Sequence, residues 1–232
     1  MDESTYPELP TPALLFDLDG TLIDSVYQHV IAWRSALSSV GIDLSVWRIH
    51  RRIGMSGGLF VSALLRETGV SLTEDEVDEL QKIHAKAYLA QLDTVRPLPG
   101  SEDLLALLTD VGVPWAIATS GRAETARSAL GLLGLPEDTP MITRDQVKHA
   151  KPDPDLFLAA AARLDTDPRH ALVVGDSVWD LLAARRAGSL GVGMMSGGYG
   201  REELERAGAF RVYRDPLDML TRLDELGLRL AL

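Results

Sequence analysis

The segment FDLDGTLIDS (residues 16–25) decides the fold, because an apolar run ends there in two aspartates separated by one residue. The run ALLFD (13–17) predicts a short buried β-strand. Side chains two positions apart in an extended chain point to the same side, so Asp17 and Asp19 share a face. In an open parallel sheet, ligands bind beyond the carboxyl ends of the strands, where this pair falls. A polar turn after a strand is the alternative explanation of an isolated DxD pattern.

Similar apolar runs recur along the chain and predict further buried strands, at WAIATS (115–120), ALVVGD (171–176) and LGVGMM (190–195). Alanine- and leucine-rich segments with helical spacing lie between these runs, at 124–134, 153–164 and 178–188. Strand and helix therefore alternate, which predicts an α/β fold with a doubly wound, Rossmann-like parallel sheet covered on both faces.

Residues 26–95 interrupt this alternation, because they contain no convincing buried strand. Helical patterns cover 26–41, 58–69 and 73–92, and the last of these opens with a capping box formed by Thr73 and Glu76. The sequence thus predicts a core made of residues 1–24 and 97–232 and a small all-helical cap domain at 25–96. The segment RPLPG (96–100) carries two prolines, which suit a stiff linker or hinge.

Composition narrows the function classes. The 232 residues are 46 % hydrophobic and include no cysteine, which excludes disulfides, thiolate metal sites and a cysteine nucleophile. The formal net charge of −11 argues against nucleic acid and anionic membranes as partners. The N-terminal MDESTYPELP lacks the pattern of a signal peptide and no apolar run is long enough to span a membrane, so we expect a cytoplasmic protein.

Polar residues also follow the second predicted strand. Thr119 and Ser120 end the run WAIATS, Gly121 permits close approach of the backbone, and a helix is expected to start near Ala123. A hydroxyl group and free N–H groups at a helix start can form a phosphate cradle. A serine or threonine before a helix is more often only a cap, so this pattern alone is weak.

Two later segments add a lysine and two acids. Lys151 precedes a helix in the segment KPDP (151–154), although most lysines are solvated surface charge. Asp176 ends the run ALVVGD, and Asp180 follows four residues later on the same face of a helix. Magnesium prefers oxygen ligands of this kind, whereas the alternative is that Asp176 only caps the helix.

In this order and at these spacings, DLDGT, TS, KPDP and GDSVWD resemble the motifs of the haloacid dehalogenase superfamily. The resemblance covers essentially the whole chain, and the helical insert resembles the small cap of the phosphoglycolate phosphatase and β-phosphoglucomutase subgroup. It implies a Mg²⁺-dependent phosphomonoester hydrolase that works through an aspartyl-phosphate intermediate. No other cofactor is implied.

Carried over residue by residue, the resemblance implies that Asp17 is the nucleophile and that Asp19 is the general acid and base. It assigns Mg²⁺ to the side chains of Asp17 and Asp176 and to the backbone carbonyl of Asp19. Asp180 would be a further ligand or a supporting acid. The transferred phosphoryl group would be bound by Thr119 and by the backbone N–H of Ser120. Lys151 would also bind it and would be catalytic, because it supplies positive charge as the transition state develops. His29 and Arg52 are candidates for substrate contact, with packing or solvated charge as the alternative.

Individual residues distinguish between the sister reactions of this superfamily. Dehalogenases lack the second aspartate, so Asp19 disfavours that activity. Phosphonate-cleaving relatives use a cap lysine, but Lys82 and Lys86 lie in a charged helix where exposure is expected. His29 and Trp33 match β-phosphoglucomutase, whereas the phosphate-gripping lysine and arginine of that mutase align with residues of another type, Ile53 and Gly57.

Two alternatives come from other classes. A non-catalytic phosphate-binding protein would be expected to lack the nucleophile or the acid, and both are present. A response-regulator receiver would be shorter and would lack the helical insert. We therefore expect an enzyme acting on a small phosphorylated metabolite, such as a sugar phosphate or phosphoglycolate, as a monomer or a homodimer. The sequence alone does not choose the substrate, because specificity depends on a few loop side chains.

Overall fold

The computed structural model describes residues 11–228 of the chain. The strands are β1 (Ala13–Phe16), β2 (Ile23–Asp24), β3 (Arg96–Pro97), β4 (Trp115–Ala118), β5 (Met141–Ile142), β6 (Ala171–Gly175), β7 (Leu190–Met194) and β8 (Ala209–Tyr213). The α-helices are α1 (Val26–Ser39), α2 (Val46–His50), α3 (Gly57–Thr68), α4 (Glu74–Leu89), α5 (Ser101–Asp110), α6 (Ala123–Leu132), α7 (Asp155–Arg163), α8 (Val178–Ala187), α9 (Arg201–Ala207) and α10 (Pro216–Leu220). Short 3₁₀ turns occur at Leu92–Thr94, Arg144–Gln146, Pro168–His170, Met195–Gly197 and Leu223–Leu226.

Six strands form one sheet in the order β5-β4-β1-β6-β7-β8, and every neighbouring pair in it is parallel. The strand β1 lies between β4 and β6, so the chain builds outward first on one side of β1 and then on the other. The carboxyl ends of these three strands meet at this switch point, which is where an open α/β sheet binds its ligands. The predicted doubly wound α/β fold is therefore confirmed.

Both faces of the sheet are buried, which explains why β1 is apolar throughout. Leu14 and Phe16 belong to a core on one face, and Ala13 and Leu15 to a core on the other. Alternate side chains of a strand point to opposite faces, so a strand covered on both sides reads as a continuous apolar run rather than as an alternating one.

The four helices from α1 to α4 have a hydrophobic core of their own. Its members come from residues 30–83, and Trp33 and Phe60 are among the largest. The capping box at the start of α4 is present, because Thr73 Oγ1 accepts from Glu76 N–H and Glu76 Oε2 accepts from Thr73 N–H. A helical unit with its own core agrees with the predicted cap, while the domain boundaries at residues 25 and 96 stay a prediction.

The two segments that connect this helical unit to the sheet pair with each other as short β-strands. Before α1, Ile23 and Asp24 pair antiparallel with Pro97 and Arg96 after α4. The sequence predicts only a stiff linker at 96–100, and the pairing with residues 23–24 is an addition from the structure.

The strands end one or two residues before the apolar runs that predict them. The structure also contains more strands than the sequence predicts. Thr119 and Asp176 lie just beyond β4 and β6 and not inside them. The short β5 and the edge strand β8 are not predicted from the sequence.

Across residues 11–228 there is no helix with the length and apolarity needed to cross a membrane. The N-terminal decapeptide used in the signal-peptide argument falls outside the described residues.

Candidate active site

The first strand delivers two aspartates to the carboxyl end of the sheet. Asp17 is 4 % exposed, and its backbone N–H donates to Val174 O at 2.8 Å, which continues the β1–β6 pairing by one residue. The chain then turns through Gly20, whose φ of +85° suits glycine. Asp19 lies in this turn and forms an isolated bridge with Ile23. The turn fixes both carboxyl groups at the switch point of the sheet.

Three carboxylates converge at this point. Asp17, Asp176 and Asp180 each place one oxygen so that all three atoms lie within 4.8 Å of one another. All three residues are buried. The hydroxyl group of Thr21 lies between two of them, 3.5 Å from Asp17 Oδ2 and 3.4 Å from Asp176 Oδ1. Thr21 belongs to the DLDGT motif but is not among the residues predicted to form the site.

Lys151 is the counter-ion within this cluster. Its side chain is 0 % exposed, and its ammonium group is paired with Asp17 and lies 2.8 Å from Asp180 Oδ1. Burial lowers the pKa of Lys151, but the two carboxylates outweigh burial and raise it, so the lysine stays charged. The other oxygen of Asp180 accepts from Ser177 Oγ at 2.6 Å and from Ser177 N–H at 3.1 Å at the start of α8.

One lysine does not balance three carboxylates. Burial, together with the charges of Asp180 and Asp19, raises the pKa of Asp17 to about 7, although Lys151 opposes this shift. Burial, followed by Asp180 and Asp17, raises the pKa of Asp176 well above its usual value. Both shifts have burial as their largest cause and neighbouring carboxylates as a further one, and the single ammonium group of Lys151 does not offset them. A hard divalent cation with a preference for oxygen ligands fits this donor set.

Glycines bring the backbone close to Asp176. A Cβ atom on Gly197 would overlap with the Asp176 carboxylate, and one on Gly20 would lie 2.7 Å from Asp176 Oδ2. Ser196 Oγ donates to Gly20 O at 2.6 Å and so joins these two glycine turns. The loop after β7 thereby becomes a wall of the site. Gly197 is not a predicted site residue, because only the folded chain brings it to Asp176.

The region after β4 matches the predicted phosphate cradle only in part. The helix α6 begins at Ala123 as expected, but Ala123 N–H donates to Asp145 Oδ2 at 2.8 Å. Gly121 N–H donates to Thr119 Oγ1 at 2.9 Å. Among residues 11–228, nothing accepts a hydrogen bond from Ser120 N–H, and the Ser120 hydroxyl donates to Gly54 O at 3.0 Å. Ser120 N–H is therefore available to an anion, whereas Ala123 N–H is not.

Asp19 is held by two donors on one oxygen. Ser25 Oγ donates to Asp19 Oδ1 at 2.6 Å, and His29 Nε2 lies 3.1 Å from the same atom. Burial raises the pKa of Asp19, but the charge of His29 and the hydrogen bonds from His29 and Ser25 together lower it below its usual value. The structure thus brings His29 to Asp19.

A cleft of about 380 Å³ opens between the sheet and the helical unit. Asp17, Asp19 and Thr119 lie on its sheet side. Arg52 lines the opposite side, but its guanidinium group is paired with Glu67 and donates to Arg48 O at 2.8 Å. The predicted substrate contact of Arg52 is therefore not supported by a free guanidinium group, because a carboxylate on α3 engages it.

His84 on α4 makes a pH-dependent contribution to the free energy of unfolding. Burial and the charge of His29 lower the pKa of His84 well below 6.5, and Asp19 only partly opposes this. The folded protein therefore binds this proton less readily than the unfolded chain does. The stabilising contribution of the neutral ring is complete above pH 6.5 and is lost as the pH falls below that value.

We expect the free energy of unfolding, measured with urea between about pH 7 and pH 5, to fall less steeply in His84→Gln than in the unchanged protein. His170→Gln is the matched control, because His170 is an exposed histidine. Equal pH slopes in all three proteins would show that His84 carries no such term.

The chain resembles proteins of known family over most of its length. The family model of haloacid dehalogenase-like hydrolases matches residues 11–188. Hexitol phosphatase A of Escherichia coli (strain K12) is 32 % identical over 176 residues, which are 75 % of this chain and 78 % of that protein. A phosphoglycolate phosphatase of Caulobacter vibrioides is 30 % identical over 219 residues, which are 93 % of this chain and 92 % of that protein.

The fold comparison agrees with these matches. The crystal structure of a hydrolase from Pseudomonas syringae superimposes with a TM-score of 0.91 at 51 % sequence identity and covers 93 % of this chain and 99 % of that one. The predicted resemblance and the predicted enzyme class, a phosphatase, are both confirmed by these relatives. The chain therefore belongs to the haloacid dehalogenase-like hydrolase family.

Proposed function

We propose that the protein is a Mg²⁺-dependent phosphomonoester hydrolase that acts on a small organic phosphate through an aspartyl-phosphate intermediate. The observation that carries this proposal is the cluster of Asp17, Asp176 and Asp180, whose carboxylate oxygens lie within 4.8 Å of one another beside the buried Lys151. A second carboxyl group, that of Asp19, lines the adjacent cleft. Together these groups provide a nucleophile, charge compensation and an acid.

In the first step, an oxygen of Asp17 attacks the phosphorus atom and the ester bond breaks. The departing oxygen takes a proton from Asp19, so that an alcohol leaves rather than an alkoxide. In the second step, Asp19 removes a proton from a water molecule that attacks the phosphorus. The bond between Asp17 and phosphorus then breaks, and inorganic phosphate and the starting carboxylate are released.

Mg²⁺ would be held by the carboxylates of Asp17 and Asp176 and, as the family resemblance implies, by the backbone carbonyl of Asp19. When bound, the ion supplies positive charge that offsets repulsion between the nucleophile and the phosphate. Asp180 Oδ2 accepts from Ser177, whereas Asp180 Oδ1 lies 2.8 Å from Lys151 Nζ as an ion pair and has no hydrogen-bond partner among residues 11–228. We infer that Asp180 orients Lys151, which leaves the ammonium group beside Asp17 to stabilise the phosphoryl oxygens.

Thr119 and the N–H of Ser120 are the remaining candidates for binding these oxygens. Ser120 N–H is supported by its lack of an acceptor among residues 11–228. Thr119 is buried at the base of the cleft, and its hydroxyl oxygen accepts from Gly121 N–H, which leaves its own proton for an acceptor.

Two sister reactions are less well supported by the cleft. Ile53 and Gly57 both line it, so the cap presents an apolar side chain and a glycine where a mutase of this family grips a second phosphate. Lys82 is 74 % exposed, and neither Lys82 nor Lys86 lines the cleft. A Schiff base formed by a cap lysine is therefore not supported, and hydrolysis is favoured.

The substrate class proposed is a sugar or polyol phosphate, phosphoglycolate or a similar small ester. Support comes from the hexitol phosphatase and the phosphoglycolate phosphatase to which the chain is similar. The cleft volume of about 380 Å³ suits a small metabolite. A cytoplasmic location, and assembly as a monomer or a homodimer, stay predictions.

The direct test measures hydrolysis of p-nitrophenyl phosphate with Mg²⁺ and with a chelator, followed by a panel of small phosphate esters. We expect turnover that the chelator abolishes and that added Mg²⁺ restores. Absence of turnover on every ester would contradict the hydrolase proposal and leave a non-catalytic binding protein as the better account.

Gly197→Ala is expected to weaken Mg²⁺ binding by about 10- to 100-fold, the range typical when a group that supports a metal ligand is disturbed. The new methyl group would overlap with the Asp176 carboxylate and force it to move. Isothermal titration with Mg²⁺ measures the affinity directly, without reference to turnover.

The matched control for this change is Gly131→Ala, because Gly131 lies in α6 with open space around its Cα. Alanine is favoured over glycine within a helix, so this variant should fold at least as well as the unchanged protein. Unchanged Mg²⁺ affinity in Gly197→Ala would remove Asp176 from the metal site.

A further inference from the structure

A chain of three side chains runs from the cleft into the helical unit. His29 Nε2 lies 3.1 Å from Asp19 Oδ1, and His29 Nδ1 lies 3.1 Å from His84 Nε2. We propose that His84, on the cap helix α4, is a positioning residue for the acid/base carboxyl group of Asp19 and acts through His29. This inference rests on the proposed function, because it presupposes that Asp19 transfers protons.

The two imidazole rings are held in place by flat neighbours. The ring of His29 stacks on Tyr88 with centroids 3.9 Å apart and an interplanar angle of 5°. The ring of His84 stacks on Trp33 at 4.1 Å and 16°. Tyr88 is buried, and Trp33 is 5 % exposed. The stacks fix the plane of each ring, and the contacts of His29 with Asp19 and His84 fix which edge of its ring faces Asp19.

Hydrogen-bond chemistry then determines which nitrogen carries the proton. An ionised carboxylate only accepts, so His29 must donate from Nε2 to Asp19. The opposite nitrogen, Nδ1, accepts a hydrogen bond when His29 is neutral and donates one when His29 is charged. His84 Nε2 is the group at hydrogen-bond distance from it. In either state this pairing keeps Nδ1 directed at His84 and leaves the Nε2–H of His29 directed at Asp19.

The same arrangement determines which oxygen of Asp19 does the chemistry. Ser25 and His29 both act on Oδ1. Within residues 11–228, no hydrogen bond is formed to Asp19 Oδ2. The proton that Asp19 gives to the departing oxygen is therefore carried on Oδ2, while Oδ1 keeps both donors in either protonation state. Loss of His84 would free His29 to turn or to change tautomer, and Asp19 would lose its orientation.

The alternative role for His84 is to fill space against Trp33. The variant His84→Phe keeps a flat ring there but has no donor, whereas His84→Gln keeps a donor on a side chain of similar reach. If the proton position matters, the two variants should differ, with glutamine restoring part of what phenylalanine loses.

The experiment compares kcat/KM for an alkyl ester, glycerol phosphate, with kcat/KM for p-nitrophenyl phosphate. The value of kcat/KM for each ester reports the steps up to cleavage of its ester bond. An alkoxide needs a proton from Asp19 to leave, but p-nitrophenolate leaves without one. We expect His84→Phe to lower kcat/KM for glycerol phosphate about tenfold, a part of the 10²- to 10⁴-fold that general acid catalysis supplies, and to change the aryl ester less than about twofold.

A double-mutant cycle with His29→Phe tests whether the effect passes through His29. In that background, His84→Phe should cause little further loss, because the intermediate partner is already missing. Equal losses on both esters, or additive losses in the double mutant, would contradict the positioning role. An unchanged protein that hydrolysed neither ester would instead contradict the proposed function itself, so the two failures are distinguishable.

Discussion

Asp17→Asn is expected to lower the turnover of p-nitrophenyl phosphate by roughly 10⁴-fold or more, the order of loss seen when an enzyme is deprived of its nucleophile. An amide oxygen is a far weaker nucleophile than a carboxylate, and no neighbouring group replaces it in kind. Asp176 and Asp180 are close, but Asp180 is engaged by Lys151 and Ser177, and Asp176 lies at the end of another strand. Residual activity should therefore be close to background.

The same variant is expected to stay folded, which separates loss of chemistry from loss of structure. The substitution removes one negative charge from a cluster in which burial and neighbouring acids raise the pKa of Asp17 to about 7. Lys151 would keep its pair with Asp180. We expect the melting temperature in the presence of a chelator to be unchanged or higher, as measured by circular dichroism.

The control is Asp110→Asn, at the exposed end of α5, which should keep full activity and normal melting. Substantial turnover by Asp17→Asn, with Mg²⁺ present and contaminating phosphatase excluded, would remove Asp17 from the role of nucleophile. Another carboxylate of the cluster would then have to be the attacking group.

The residues that the sequence predicts correctly to lie together share one local signal. Asp17, Thr119 and Asp176 each follow an apolar run directly, and parallel strands bring such positions to one edge of a sheet. Lys151 follows no strand, and only its resemblance to a family motif identifies it. Its complete burial between two carboxylates is a tertiary feature that local sequence does not encode.

Hydrophobic periodicity does not predict β-strands that are very short or whose partners are distant in sequence. The strand β5 has 2 residues and cannot show alternation. The strand β8 lies at the edge of the sheet and has exposed residues at Phe210 and Arg211, so it lacks a continuous apolar run. The pairing of Ile23 with Pro97 joins positions on either side of the whole helical insert. Each feature depends on partners that are remote in sequence.

The same limit applies to the cleft. Arg52 resembles a substrate-binding residue in a glycine-rich loop until Glu67 on α3 is seen to engage it. His84 resembles one more polar residue of a charged helix until its ring is found beside His29. Gly197 belongs to no recognisable motif, and it matters because a side chain at this position would overlap with Asp176. Local pattern identifies groups that react, whereas the supporting contacts require the fold.

Asp19→Asn is expected to separate the two halves of the reaction. The amide oxygen can still accept hydrogen bonds from Ser25 and His29, so the turn should keep its geometry. The amide group cannot donate a proton to the departing oxygen in the way a carboxylic acid does, and it cannot act as a base toward water. Steady turnover should therefore fall by about 10²- to 10⁴-fold, the range that general acid–base catalysis supplies.

A rapid-mixing experiment with p-nitrophenyl phosphate provides the sharper readout. Because p-nitrophenolate leaves without a proton, Asp19→Asn should still transfer the phosphoryl group to Asp17 and release about one equivalent of p-nitrophenol per enzyme. Hydrolysis of the aspartyl phosphate then lacks its base, so product release should nearly stop after this burst. Asp17→Asn is the matched control and should give no burst, since it has no carboxylate to accept the group. A burst in Asp17→Asn and none in Asp19→Asn would exchange the two roles, because the residue that survives as an acceptor of phosphorus is the nucleophile.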